Sequence, residues 1–248
     1  MKRRICLWLA IAISMMAAAP EPRPDEIARQ MMQAMGGEAA WKQANYLRFS
    51  FTLNLRGSTK VARAYLWDKQ GGRVRLEDKS AEGKFAVVLL NTRDQKGAAY
   101  INGQKLEGAE AAGTLKSTYR AFRLDLDWLA LPWNWLAPGV HLKYVGEKSV
   151  KGQVYDVVEV AVDQPAGAQA VRYNAYVSRE SHLMDYCGVS PDTSLWDWKY
   201  TTAGHIQLAS EHANPDKKAV ISMGNVKVMD NPGDAFFTDP ARGLSGLK

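Results

Sequence analysis

Leu47-Arg48-Phe49-Ser50-Phe51-Thr52-Leu53-Asn54-Leu55-Arg56 alternates apolar and polar residues without a break. Successive side chains of a strand point to opposite faces, so this stretch reads as a strand with one dry face and one wet face. Working outward, Gly57-Ser58 is a turn, and Val61, Arg63, Tyr65 and Trp67 share one face of a second strand. Gly71-Gly72 reads as a hairpin turn before a third strand around Val74 and Leu76. Phe85 to Leu90 is apolar on both faces, as a covered central strand should be. Ala98 to Ile101 then pairs across Asn102-Gly103 with Lys105-Leu106.

Upstream lies a helix. Pro24 suits its first turn, Asp25 and Glu26 complement its dipole, and Ile27, Met31 and Met35 recur at helical spacing. Gly36-Gly37 ends it, and Glu38 to Gln43 adds a turn carrying Trp41. Downstream, Glu110 to Leu131 predicts one or two helices. Leu115, Tyr119, Phe122, Leu126 and Leu129 keep helical spacing, and Pro132 stops the run among Trp128, Trp133 and Trp135. A second β run follows over Val140–Val145, Val154–Val162, Val171–Val177, Leu183–Tyr186, Leu195–Tyr200, His205–Ala209 and Val220–Met229. Short turns between successive strands imply an antiparallel meander. The fold expected is mainly β with helices (α+β), an open antiparallel sheet covered by the N-terminal and central helices.

The N-terminus reads as a secretory signal over residues 1–19. Lys2, Arg3 and Arg4 precede an apolar run from Ile5 to Ala18, and small residues at Ala17, Ala18 and Ala19 suit cleavage. The run is shorter than the roughly 20 residues that span a bilayer. Cys6 stands at the start of that run, whereas a lipid-modified cysteine follows it. Residues 20–24 then form a linker, 25–239 a single domain, and 240–248 a loose, small and polar tail. The expected location is the periplasm, with no membrane-crossing segment after the signal. Cys187 is left alone, so no internal disulfide forms.

Charge excludes one class of partner. The three basic residues of the signal supply half of the formal charge of +6, and the rest is spread among both signs. No basic cluster with interleaved aromatics marks a nucleic-acid binder. The catalytic inventory is thin. There is no Walker loop, Gly-x-Gly-x-x-Gly, His-Glu-x-x-His, Gly-x-Ser-x-Gly or Cys-x-x-Cys. His182, Asp185 and Cys187 are the nearest approach to a metal set, and a zinc site needs three or four converging ligands. Asp125 and Asp127, two apart on a helix, point away from each other and read as a solvated face. Asp68 and Asp197 each follow a Trp and read as turn-proximal strand ends. No catalytic residue, metal or cofactor is assigned, and the chain is read as a non-enzyme.

Aromatic residues stand out instead. Trp196, Trp198 and Tyr200 share one face of what reads as a single strand. A curved sheet with an apolar concave face needs a helix or a ligand over it, and the Glu110–Leu131 helix is a natural cover. The space between them is where an apolar ligand fits, lined by Phe49, Phe51, Leu53, Trp67, Phe122, Trp128 and Trp196. The same residues equally describe a filled core.

Several of these features together resemble a family. Ala34-Met35-Gly36-Gly37 with Trp41, Leu66-Trp67-Asp68, Gly72-Arg73, Tyr119 with Phe122, Trp128-Leu129 with Pro132, and Pro138-Gly139-Val140 precede a last strand at Asn225-Val226-Lys227-Val228 and then Phe236-Phe237. This order is similar to an uncharacterised exported branch of the periplasmic lipoprotein-carrier (LolA/LolB-like) superfamily. The resemblance implies an unclosed half-barrel lidded by helices. It also implies a carrier role for a lipid-like or other apolar ligand, lipoprotein acyl chains included, and an Arg inside the cavity that helps to close the lid. No position is matched to that Arg. The alternative function is a non-catalytic envelope scaffold or sensor that works through a protein partner.

Overall fold

The computed structural model describes residues 23–79, 83–163, 171–189 and 194–247. The signal segment and most of the linker lie outside them. The alternating stretch forms β1 (Tyr46–Leu55), and Leu47, Phe49 and Phe51 are buried while their neighbours are partly exposed. β1 pairs antiparallel with β2 (Ser58–Asp68), and the turn between them sits one residue earlier than the sequence suggests. Arg56 and Gly57 both adopt positive φ, at 49° and 77°. Two consecutive left-handed residues are what a tight hairpin needs to match the strand twist.

β3 (Arg73–Lys79), β4 (Phe85–Asn91), β5 (Gly97–Ile101) and β6 (Gln104–Lys105) continue the meander. Val87, Val88, Leu89 and Leu90 of β4 are all buried, so this strand is covered on both faces. Ahead of β1, α1 (Pro24–Ala34) buries Ile27, Ala28, Met31 and Met32. Gly36 ends the segment with φ 115°, and a Cβ there would stand 2.2 Å from the His205 carbonyl oxygen. Only glycine satisfies both demands. A short helix, α2 (Glu38–Gln43), brings Trp41 to the core.

α3 (Gly108–Ala130) is a single helix that passes into a 3-10 turn at Leu131–Asn134. The meander resumes with β7 (Val140–Val150), β8 (Gln153–Val162), β9 (Val171–Ser178), β10 (Met184–Gly188) and β11 (Trp196–Asp197). These five form their own sheet in the order β11-β10-β9-β8-β7. β12 (Lys199–Ala203), β13 (Ile206–Ala213) and β14 (Ala219–Met229) return to the first sheet, where β14 pairs with the free edge of β1. The larger sheet thus runs β12-β13-β14-β1-β2-β3-β4-β5-β6. Both sheets are antiparallel and neither closes.

Two expectations change. The strand expected over Leu195–Tyr200 is two strands in two sheets. The chain leaves one sheet after Asp197, and Trp198, whose N–H donates to the Asp185 carbonyl at 2.8 Å, is the crossing point. Strict alternation cannot report such a crossing, because both halves keep an extended backbone. The tail expected to be loose packs on the outer face of the larger sheet. α4 (Ala235–Thr238) and a 3-10 turn at Leu244–Gly246 bury Phe236, Phe237, Leu244 and Leu247 against Leu66.

The clamp for that segment is Arg75, fully buried on β3. Its guanidinium donates to the carbonyl oxygens of Phe236 (3.2 Å), Asp239 (2.9 Å) and Pro240 (3.1 Å), and to Glu77 Oε1 (2.8 Å). Glu77 also accepts from the Leu244 N–H. A buried charge is tolerable only with this many partners. Arg75→Met removes a donor from three carbonyls and leaves Glu77 without its cation, and urea denaturation should show a loss of about 3 kcal/mol. An unchanged midpoint would mean that the tail is not clamped.

Candidate functional site

Strand register builds the concave face of the larger sheet. Leu47, Phe49, Phe51 and Leu53 stand opposite Trp67, Tyr65, Arg63 and Val61. Trp67, Tyr65 and Arg63 in turn face Val74, Leu76 and Asp78 on β3, while Phe51 and Leu53 face Met223 and Ile221 on β14. α3 lies over this trough. Phe122 packs against Tyr65 at 5.8 Å and edge-on against Trp67 at 5.6 Å, and Tyr65 stacks on Phe49 at 4.8 Å. Phe49, Phe51, Leu53, Trp67 and Phe122 therefore meet under one part of the lid.

Trp128 and Trp196 meet elsewhere, at the junction of the two sheets. Trp128 lies 5.3 Å from Trp196, 5.8 Å from Trp198 and 5.1 Å from His212. All seven expected residues belong to one continuous apolar cluster or pack against it. In this structure side chains fill the trough. None of the seven lines either of the two best-formed surface grooves among the described residues. One, of about 450 Å3, runs between the β4–β5 turn and the start of α3. The other, of about 330 Å3, lies between α1 and residues Asp156, Arg179 and His182.

The sequence reading missed the polar element of the trough. Asp125, expected on a solvated face, is 3% exposed. Arg63 Nη1 donates to its Oδ2 at 2.6 Å, and the Tyr65 hydroxyl donates to the same oxygen at 2.7 Å. Burial pushes the Asp125 carboxyl up, against the pull of the Tyr65 hydroxyl and of Arg63. Burial also weighs against charge on Arg63, but Asp125 more than offsets it and holds the guanidinium above its ordinary range. Asp78, across the strand pair from Arg63, is raised by burial as well. Two signals could have found the pair. Arg63 alternates with Val61, Tyr65 and Trp67 on a core face, where a charge demands a partner. Asp125 falls three residues after Phe122 and four before Leu129, on the helix face that those two bury.

Other sequence candidates have structural explanations. Asp68 closes the β2–β3 turn, accepting from the Gly71 N–H at 2.7 Å and Arg73 Nε at 2.8 Å. Asp197 accepts from the Ala213 N–H. Burial pushes the Cys187 thiol up to about 12, which keeps it from acting as a thiolate. Among the described residues, no three His, Cys, Asp or Glu side chains converge as metal ligands, and no helix is long and apolar enough to cross a membrane.

The geometry defines a class: an open antiparallel half-barrel whose apolar trough is closed by one long helix. No family model matches the chain, and no curated protein matches it. Among solved structures, a LolA-superfamily protein from Nitrosomonas europaea superimposes with a TM-score of 0.50 at 10% identity, covering 88% of this chain and 99% of that one. A DUF1329-family protein from Desulfovibrio piger gives a TM-score of 0.42 at 14% identity, covering 91% and 99%. The chain shares the fold of that LolA-superfamily protein, an open antiparallel half-barrel with a helix over it, as the resemblance implies.

Two measurements test this chemistry. Arg63→Met strands a buried carboxylate and should cost about 3 kcal/mol, and Arg63→Met with Asp125→Leu should recover most of that loss. Additive losses would show that the two residues do not act as a pair. The second concerns His212. It is fully buried, its Nε2 donates to the Trp128 carbonyl at 2.8 Å, and burial lowers its pKa to about 4. A depressed pKa means that the folded state resists a proton which the unfolded chain accepts near pH 6.5. Stability from this group is complete above that pH and falls as pH drops toward 4, by up to about 3 kcal/mol. His212→Gln should remove that slope between pH 6.5 and 4 in unfolding titrations.

Proposed function

We propose that the protein is a periplasmic carrier for a lipid-like or other apolar ligand, held between the larger sheet and α3. The observation that supports it is the lid. Over Tyr65 and Trp67, α3 makes aromatic contacts and one buried ion pair, while the smaller sheet adds Val158 and Val160 to the same core. Lifting α3 exposes Phe49, Phe51, Leu53, Trp67 and Phe122 together. Apolar surface so exposed is worth about 25 cal/mol per Å2 to an entering acyl chain. A ligand held this way needs no polar signature, which fits the absence of one from the sequence. Arg63 then has the role of a latch, because its partner Asp125 sits on the moving helix.

A second reading rests on the filled trough. With side chains occupying the interior, the half-barrel can serve as a scaffold or sensor that works through a protein partner. One experiment separates the two. Native mass spectrometry of protein purified from a bacterial envelope, followed by solvent extraction, should reveal a discrete co-purifying lipid. Leu53→Asp, at a half-buried position near the end of the trough, should abolish that lipid in a folded protein, and Arg63→Ala should speed lipid exchange at least several-fold by freeing the latch. A clean apo mass with no uptake from added lipid would favour the scaffold.

A further inference from the structure

The outer face of the lid carries a feature that closing the trough does not explain. Phe122, Asp125, Leu126 and Leu129 fix which side of α3 is buried. The opposite side presents Lys116, Ser117, Arg120, Arg123 and Leu124, all exposed. Lys116, Arg120 and Arg123 fall four and three residues apart, so they form one stripe about 10 Å long. Among the described residues no carboxylate forms an ion pair with any of the three. Asp125, two residues from Arg123, faces inward to Arg63, and Asp127, one turn past Arg123, is partly buried and feels the Arg123 charge without an ion-pair contact. Leu124 stands beside the stripe at 62% exposure, the second highest of the large apolar side chains described as exposed.

We propose that this face of α3 docks on an anionic phospholipid bilayer. Three exposed cations supply the attraction, since each Lys or Arg near such a surface strengthens binding about fivefold. Leu124 among them supplies an apolar residue to enter the headgroup layer, the combination that marks helices lying in an interface. An acidic protein would satisfy the cations but would leave Leu124 without a role. Geometry adds a further reason. Lys116 also lines the 450 Å3 groove with Lys96, Ala112 and Leu115. That groove opens between the lid and the β4–β5 turn of the sheet, so docking by the stripe turns it toward the bilayer. The inference deepens the carrier reading and rests on it for its purpose, because a lid that touches the membrane is placed to pass a lipid.

The test is co-sedimentation of the purified protein with vesicles of phosphatidylcholine alone and with about one third phosphatidylglycerol. Binding should require the anionic lipid and weaken as salt rises. Replacing Lys116, Arg120 and Arg123 together by Gln should reduce binding on the order of 100-fold, with thermal unfolding unchanged because all three side chains are exposed. Leu124→Ser should reduce it several-fold at any salt concentration. Equal binding to both vesicle types, or undiminished binding by the triple variant, would overturn the proposal. Lipid uptake from detergent micelles, measured in parallel, separates this inference from the carrier reading. Anionic-vesicle binding without uptake sustains docking and removes carriage. Uptake without vesicle binding sustains carriage and removes docking.

Discussion

An apolar concave face on a sheet that does not close is the constraint from which the rest of the molecule follows. Phe49, Phe51, Tyr65 and Leu76 lie in neighbouring strands and all project to one side. Left open, that surface would drive association. α3 and the smaller sheet cover it, and their own buried residues, Phe122 and Leu129 on the helix and Val158 and Val160 on β8, join the same cluster. The reverse face has the same requirement on a smaller scale. Leu66 and its neighbours are covered by the chain end, which Arg75 holds in place.

Much of this was legible in the sequence, because period-two alternation and turn chemistry are local. β1 and β2, the Asn102-Gly103 hairpin and the long helix before Pro132 all followed from neighbouring residues. What was not legible depended on distant partners. The crossing at Trp198 keeps an extended backbone on both sides, so no local pattern marks it. The Arg63–Asp125 pair joins residues 62 positions apart. The burial of Leu244 and Leu247 depends on Glu77 and Arg48, which lie near the other end of the chain. The candidate residues divided for the same reason. Five of them come together under the lid, while Trp128 and Trp196 belong to the seam between sheets.

The lid is held in two different ways. Along most of α3 the contacts are aromatic and aliphatic, which tolerate sliding. At Asp125 the contact is directional, with two donors on one carboxylate oxygen. Less than one turn further on, the Trp128 carbonyl is tied to His212 on the sheet. Both polar ties therefore sit at the C-terminal end of α3 and anchor it there, while the rest of the helix is held by apolar contacts.

The pairing of β14 with β1 has a consequence for how the molecule is made. Tyr46 faces Met229 across that ladder, so the middle of the larger sheet joins nearly the two ends of the domain. β1 is synthesised early, and its second edge waits until almost the whole chain has emerged. Until then it is an unsatisfied edge beside phenylalanines, the kind of surface that aggregates. Cys187 is the only cysteine within the described residues, so no disulfide within them can shield the early intermediate. The nascent chain therefore depends on being kept extended or escorted until its last strand arrives.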